Sequence, residues 1–155
     1  MNELRAYADG RWADFGGLDR CGMADADAAL GPRLFDQLYG GTFGGEPTQF
    51  ALYPGGTASP KGLTCWILGD VVVGLEIRQP TPAPEALADL GEPDTVIGSE
   101  LGPSWSQQLW PDRGLVLHRH DEVIAVSFGL RPFDVEAWES DPLRWWRIER
   151  RPARR

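Results

Sequence analysis

His118, His120 and Asp121 form the sharpest chemical constellation in this 155-residue chain. Two histidines at i and i+2 on one strand point to the same face, where they could share a metal ion if a third ligand joined them. Glu76 or Cys65 would have to supply that ligand from another strand. The spacing alone therefore predicts histidines beside a turn, with no metal and no cofactor. Ser127 and His118 are the nearest approach to a nucleophile with its base. An open sheet would give them no water-excluding pocket, so no catalytic residue is assigned. The run Tyr39-Gly40-Gly41-Thr42-Phe43-Gly44-Gly45-Glu46 resembles a phosphate-binding loop only in its glycines. It lacks the Lys-Ser/Thr pair and the strand-to-helix setting such a loop needs. It reads instead as a mobile loop with Phe43 at its tip, either a connector or a partner-binding finger.

The elements that position these residues come in two similar sets. Residues 24–32 and 83–93 each read as a short, acidic-started helix that ends in Leu-Gly before a proline. Gly31 and Gly91 suit a left-handed cap, and the following prolines forbid further helix. A Gly-containing stretch follows each helix, and then matching apolar runs. Gln49–Pro54 corresponds to Gln107–Pro111, Leu63–Leu68 to Gly114–Arg119, and Asp70–Ile77 to Asp121–Phe128. Short β-branched and aromatic runs between turn residues predict strands in a meander.

The expected fold class is therefore α+β, built from two tandem helix-plus-antiparallel-sheet (α-β-β-β) repeats, with helices on one face and the other face open. Residues 1–19 form an N-terminal strand or cap, 20–80 the first repeat and 81–132 the second. Residues 133–155 form a short helix and a basic tail, with a further strand suggested from Leu143 to Arg147. Gln79–Pro84 is a stiff linker.

Period-2 alternation assigns the faces. Leu52, Leu75 and Ile77 are expected to face the first helix, and Leu109, Leu115, Leu117, Val126 and Phe128 the second. That leaves Tyr53, Cys65, Ile67, Glu76 and Arg78, then Trp110, Val116, His118, His120 and Ser127, on the open face. Seven tryptophans are many for this length. Trp12, Trp66 and Trp138 are expected in the core, as is one of Trp145 and Trp146. Trp105 and Trp110 are expected at the surface as binding hot spots.

Charge narrows the partner. The chain carries a net −8, while six arginines and one glutamate give residues 144–155 a net +5, which leaves −13 for the rest. Such a body repels phosphate, so nucleic acid is excluded as the main ligand. No apolar run approaches the roughly 20 residues of a membrane span. The start Met1-Asn2-Glu3-Leu4-Arg5 has neither the basic leader nor the apolar run of a signal peptide. The expectation is a cytoplasmic protein without membrane contact, with Cys21 and Cys65 as free thiols.

The helices that run into Leu90-Gly91-Glu92-Pro93 and the shorter Leu30-Gly31-Pro32 carry a resemblance across roughly residues 20–130. This tandem organisation resembles the β-lactamase inhibitory protein architecture and is similar to the single-unit SmpA/OmlA lipoproteins. Those lipoproteins bear a lipid-attached cysteine, and the inhibitor has a disulfide in each copy. Here both cysteines fall in the first copy, and no inhibitory residue maps onto this chain. The resemblance implies a scaffold that binds protein through a concave sheet and its loops.

The expected function is non-enzymatic: an immunity or inhibitor protein that neutralises a protein partner, such as a toxin or enzyme with a basic surface. Phe43, Tyr53, Glu76, Arg78, Trp105, Trp110, His118 and His120 are the expected partner-binding residues. The alternative is a small-molecule binder or accessory enzyme with a cleft between the repeats around Trp110, His118 and Tyr53. A structural module that self-associates is the third option.

Overall fold

A computed structural model describes residues 2–99 and 101–140. The basic segment 144–155, with Trp145, Trp146 and the strand suggested from 143 to 147, lies outside the described residues. Among the described residues the fold is α+β, with four helices and a single open antiparallel sheet of eight strands. Helix α1 (Asn2–Ala8) and a 3-10 turn (Trp12–Asp14) precede α2 (Met23–Leu30). Four strands follow α2: β1 (Tyr39–Phe43), β2 (Glu46–Tyr53), β3 (Leu63–Leu68) and β4 (Val71–Arg78). Helix α3 (Pro84–Leu90) is likewise followed by four: β5 (Thr95–Ser99), β6 (Gly102–Trp110), β7 (Leu115–His120) and β8 (Val123–Gly129). Helix α4 (Val135–Ser140) comes last. Among the described residues, no helix is long and apolar enough to cross a membrane.

The spatial order is β1-β2-β3-β4-β8-β7-β6-β5. Two meanders thus meet at their last strands, where Leu75, Glu76, Ile77 and Arg78 lie opposite Gly129, Phe128, Ser127 and Val126. Helices α2 and α3 are each followed by four strands rather than the expected three. The additional ones, β1 and β5, are the edge strands, hidden in the sequence by their glycines. In particular the Gly-rich run is a hairpin and not a loop. Gly44 and Gly45, at φ 65° and 78°, make the two-residue turn between Phe43 and Glu46. Two consecutive positive φ values are what a type I′ turn requires, and its twist matches the flanking strands.

The N-terminal segment, expected as a strand or cap, is a helix and a turn. Leu4, Tyr7 and Ala8, spaced i, i+3, i+4, are buried, so this short helix exists because its apolar stripe docks. The Tyr7 hydroxyl lies 2.8 Å from Ser127 Oγ and donates to the Ser127 carbonyl at 2.9 Å, which ties α1 to the middle of the sheet. Gly91 ends α3 at φ 77° and ψ −171°, a backbone conformation open mainly to glycine but not the left-handed cap expected of it. Gly31 at the end of α2 does not adopt that conformation (φ −53°). Glycine is needed there for space, since a Cβ would sit 2.1 Å from the Asp27 carbonyl oxygen.

The sheet is packed on both sides. Tyr7, Trp12, Phe15, Leu30 and Leu90 cover one face through Tyr53, Cys65, Ile67, Leu75, Ile77, Trp110, Leu115 and Leu117. On the other face Phe43, Trp66, Leu109, Val116, Val126, Phe128 and Trp138 form a second cluster. Helix α4 belongs to this second side, so the helices are not confined to one face. Trp12, Trp66 and Trp138 are buried, as expected of core tryptophans.

The alternation set out above holds for Leu75, Ile77, Leu115 and Leu117 on one side and for Glu76, Arg78, Val116, His118 and His120 on the other, but its phase is reversed at several other positions. Tyr53, Cys65, Ile67 and Trp110 lie on the α1–α3 side, and Leu109, Val126 and Phe128 on the other. Leu52 is half-buried between its two buried neighbours. Ser127 bonds Tyr7 and so also faces α1. Strands apolar on both sides offer no polar row to fix the phase.

Candidate functional site

The face opposite α1–α3 carries the candidate surface, and it has two parts. Across β1, β2 and β3 runs a row of aromatic rings. Phe35 meets Tyr39 edge-on at 5.4 Å, Tyr39 stacks on Phe50 at 5.8 Å, and Phe50 leans on Trp66 at 5.3 Å. Trp66 stacks on Phe43 at 5.5 Å, and Phe43 contacts Phe128 edge-on at 6.2 Å. The row is buried at its inner end and open at its outer end, where Phe35 is 44% and Tyr39 39% exposed, with Leu34 beside them. Glycines seat the inner rings: a Cβ on Gly74 would lie 2.4 Å from the Phe43 ring, and one on Gly41 2.7 Å from Trp66.

The second part is a groove of about 820 Å³ where β4 and β8 end. Arg78 and Gln79 form one wall, Val123 and Val126 the floor, and Leu101 and Trp105 the far wall. Trp105 stands edge-on to His120 with ring centres 5.5 Å apart. His120 in turn pairs with Asp121 at 3.3 Å.

Beneath the wall, Glu76 is 2% exposed and holds two partners. The Trp66 indole N–H donates to Oε1 at 2.8 Å, and the Arg78 Nε–H donates to Oε2 at 2.7 Å. The buried carboxylate is thus satisfied by one neutral and one charged donor. Replacing Glu76 with Ala strands the Trp66 donor and loosens Arg78, at an expected cost of about 2 to 3 kcal/mol. Arg78→Ala removes a largely exposed cation but leaves the buried Glu76 carboxylate with the Trp66 donor alone, and is expected to cost about 1 to 2 kcal/mol. Urea unfolding of the two variants checks this order.

Five of the eight expected binding residues gather here. Arg78 and Trp105 line the groove, Glu76 holds Arg78, and His120 braces Trp105. His118 lies one register step inward, opposite Val126. It is buried, with Nδ1 2.8 Å from Ser99 Oγ, which also accepts the Leu101 N–H at 3.2 Å. This links β7 to the β5–β6 turn that carries Leu101. His118 thus bonds Ser99, while Ser127 bonds Tyr7 on the other side of the sheet. The Ser99–His118 pair acts as a clamp at a buried histidine.

The other three residues do not join the groove. Phe43 is in the aromatic row, buried, and not at a loop tip. Tyr53 and Trp110 are buried on the α1–α3 side, which leaves neither at the sheet's other face. The Tyr53 hydroxyl donates to Asp27 Oδ1 at 2.7 Å, beside the Arg33–Asp27 ion pair at 3.3 Å. The Trp110 indole N–H is buried without a hydrogen-bond partner among the described residues. Phe35, Tyr39 and Phe50 were missed as site residues. Their signal was an aromatic spacing across a hairpin whose register the sequence did not disclose.

Among the described residues no group of three His, Cys, Asp or Glu is placed to hold a metal ion. His118 and His120 share a face as expected, but Cys65 is on the opposite face and Glu76 is engaged by Trp66 and Arg78. Both cysteines are free and buried. No protein-family model, curated protein or solved structure matches this chain.

Proposed function

We propose that this chain is a non-enzymatic protein-binding module, a cytoplasmic immunity or inhibitor protein that neutralises a partner bound across the sheet face opposite α1–α3. The observation that carries the reading is the aromatic row with its open end. Phe35, Tyr39 and Phe50 offer rigid, largely apolar area at the surface, backed by buried Trp66 and Phe43. Aromatic anchors on a rigid support are the usual material of binding hot spots. The net charge of −13 outside residues 144–155 favours a partner with a basic surface, such as a toxin or enzyme.

The proposal includes a tandem duplication. Two helices each lead into a four-stranded meander, and the meanders join at β4 and β8. That arrangement supports the tandem organisation for which the resemblance to the β-lactamase inhibitory protein architecture was drawn.

Tyr39→Ala and Phe35→Ala are expected to weaken partner binding by about 1 to 2 kcal/mol each and to leave folding nearly unchanged. A pull-down from the protein's own cell extract, followed by titration of the captured partner, measures this. One stoichiometric protein lost in Tyr39→Ala supports the reading. Equal capture by both variants and the parent chain removes the aromatic row from the interface. The second reading, a small-molecule binder, is favoured by one observation: the groove is walled by Arg78–Thr81 from before α3 and by Leu101 and Trp105 from after it.

A further inference from the structure

We propose that the groove at the ends of β4 and β8 binds a small carboxylate on a flat apolar body, with Arg78 as its anion anchor. Arg78 is an unusual surface arginine. Its side chain is 72% exposed, yet its Nε is held at 2.7 Å by a carboxylate that is itself buried. Both oxygens of Glu76 are occupied, one by Arg78 and one by Trp66, so the carboxylate is fixed from behind. Among the described residues Nη1 and Nη2 have no hydrogen-bond partner, and they form the second edge of the guanidinium. That edge is a planar fork of the kind that matches a carboxylate with two parallel hydrogen bonds.

An ion pair whose carboxylate is buried seldom adds stability over a well-packed apolar contact. What it supplies here is orientation: the cation is pre-set on the groove wall and loses little entropy on binding. Beside the fork lie the apolar surfaces for the ligand's body. Val126 is the cross-strand neighbour of Arg78, Val123 is 59% exposed, and Leu101 and Trp105 close the far side. The volume, about 820 Å³, lies within the range of small-molecule sites.

Glu122, also in the lining, sets the direction. It stands four residues along the chain from Val126, roughly 10 to 13 Å at strand rise. Its charge repels a carboxylate from that end and favours the Arg78 end. Because Glu76 offsets the charge of Arg78, discrimination arises from the hydrogen-bond fork more than from net charge.

The inference stands apart from the partner-protein reading, since Phe35 and Tyr39 lie toward the far edge strand, away from Arg78. The test is an NMR titration that follows the Trp105 indole resonance, assigned from Trp105→Phe. The probes are phenylacetate and its neutral counterpart phenylacetamide. Phenylacetate is expected to bind about tenfold or more tightly than the amide, the scale of a charge-assisted hydrogen bond. Arg78→Gln, a change at an exposed position, is expected to abolish that preference while the amide still binds. Equal affinities for the two probes, a preference that survives Arg78→Gln, or a Trp105 resonance that neither probe shifts would each overturn the proposal.

Discussion

Phe43→Ala is expected to lower folding stability by about 3 to 5 kcal/mol, the cost of emptying a buried aromatic site. The ring is 4% exposed, stacked on Trp66 and edge-on to Phe128, and seated on the bare backbone of Gly74. Its removal takes contacts from both neighbours at once. Urea unfolding should show a lower midpoint at an unchanged slope. A coupled variant makes the packing claim specific. Gly74→Ala alone places a Cβ 2.4 Å from the ring and is expected to cost about 1 to 3 kcal/mol. In the Phe43→Ala background the same methyl enters vacated space, so its cost should largely vanish. That positive coupling is the signature of direct contact. If Phe43→Ala folded with parental stability and lost only partner affinity, the ring would belong to an interface and the packing account would fail.

The same residue shows where sequence reasoning stops. Tyr39-Gly40-Gly41-Thr42-Phe43 has poor strand propensity, because glycine weakens a strand that packs its own side chains. The reason for Gly41 lies across the sheet, in the space that Trp66 requires, and no local pattern reports it. Helix α3 was readable because its stop is local: Leu90, Gly91 at positive φ, and Pro93. Helix α1 was not, since its stripe of Leu4, Tyr7 and Ala8 is too short to stand out beside the chain end.

Part of the candidate site was readable for a similar reason. Glu76, Arg78, His118 and His120 were assigned to the correct face because polar residues mark the phase of their strands. Tyr53 and Trp110 were misplaced because β2 and β6 end in apolar residues on both sides. Irregular pairing at Trp66/Ile67 and at His118/Arg119 shifts the register further, and such bulges leave no mark in composition. The groove itself depends on the meeting of β4 with β8, a pairing between residues about 50 positions apart.

Loss of stability in alkali is expected to be steep and to begin near pH 9, because the fold buries groups that the unfolded chain would ionise. Burial raises the Cys65 thiol well above its ordinary value, with Cys21 and Asp27 nearby adding to the effect. Burial likewise raises Tyr7, and the hydrogen bond with Ser127 only partly opposes it. Below pH 8 both groups are protonated whether the chain is folded or not, and their contribution is fully present. As pH passes the ordinary thiol value and then that of tyrosine, the unfolded chain releases protons that the folded chain keeps. The unfolded state then binds fewer protons, so stability falls with rising pH, by up to about 1.4 kcal/mol per pH unit for each group. Tyr7→Phe separates this from general alkaline damage. At pH 7 the variant loses a buried hydrogen bond and should be less stable by about 1 kcal/mol. Above pH 10 it has one fewer proton to lose, so its stability declines more slowly. The parent and variant curves, from urea unfolding at pH 7 to 11.5, should therefore converge and meet near pH 11 on these magnitudes. Parallel curves across that range would mean that the Tyr7 hydroxyl ionises as readily in the folded protein as in the unfolded chain, and that it does not sit sealed between α1 and the sheet.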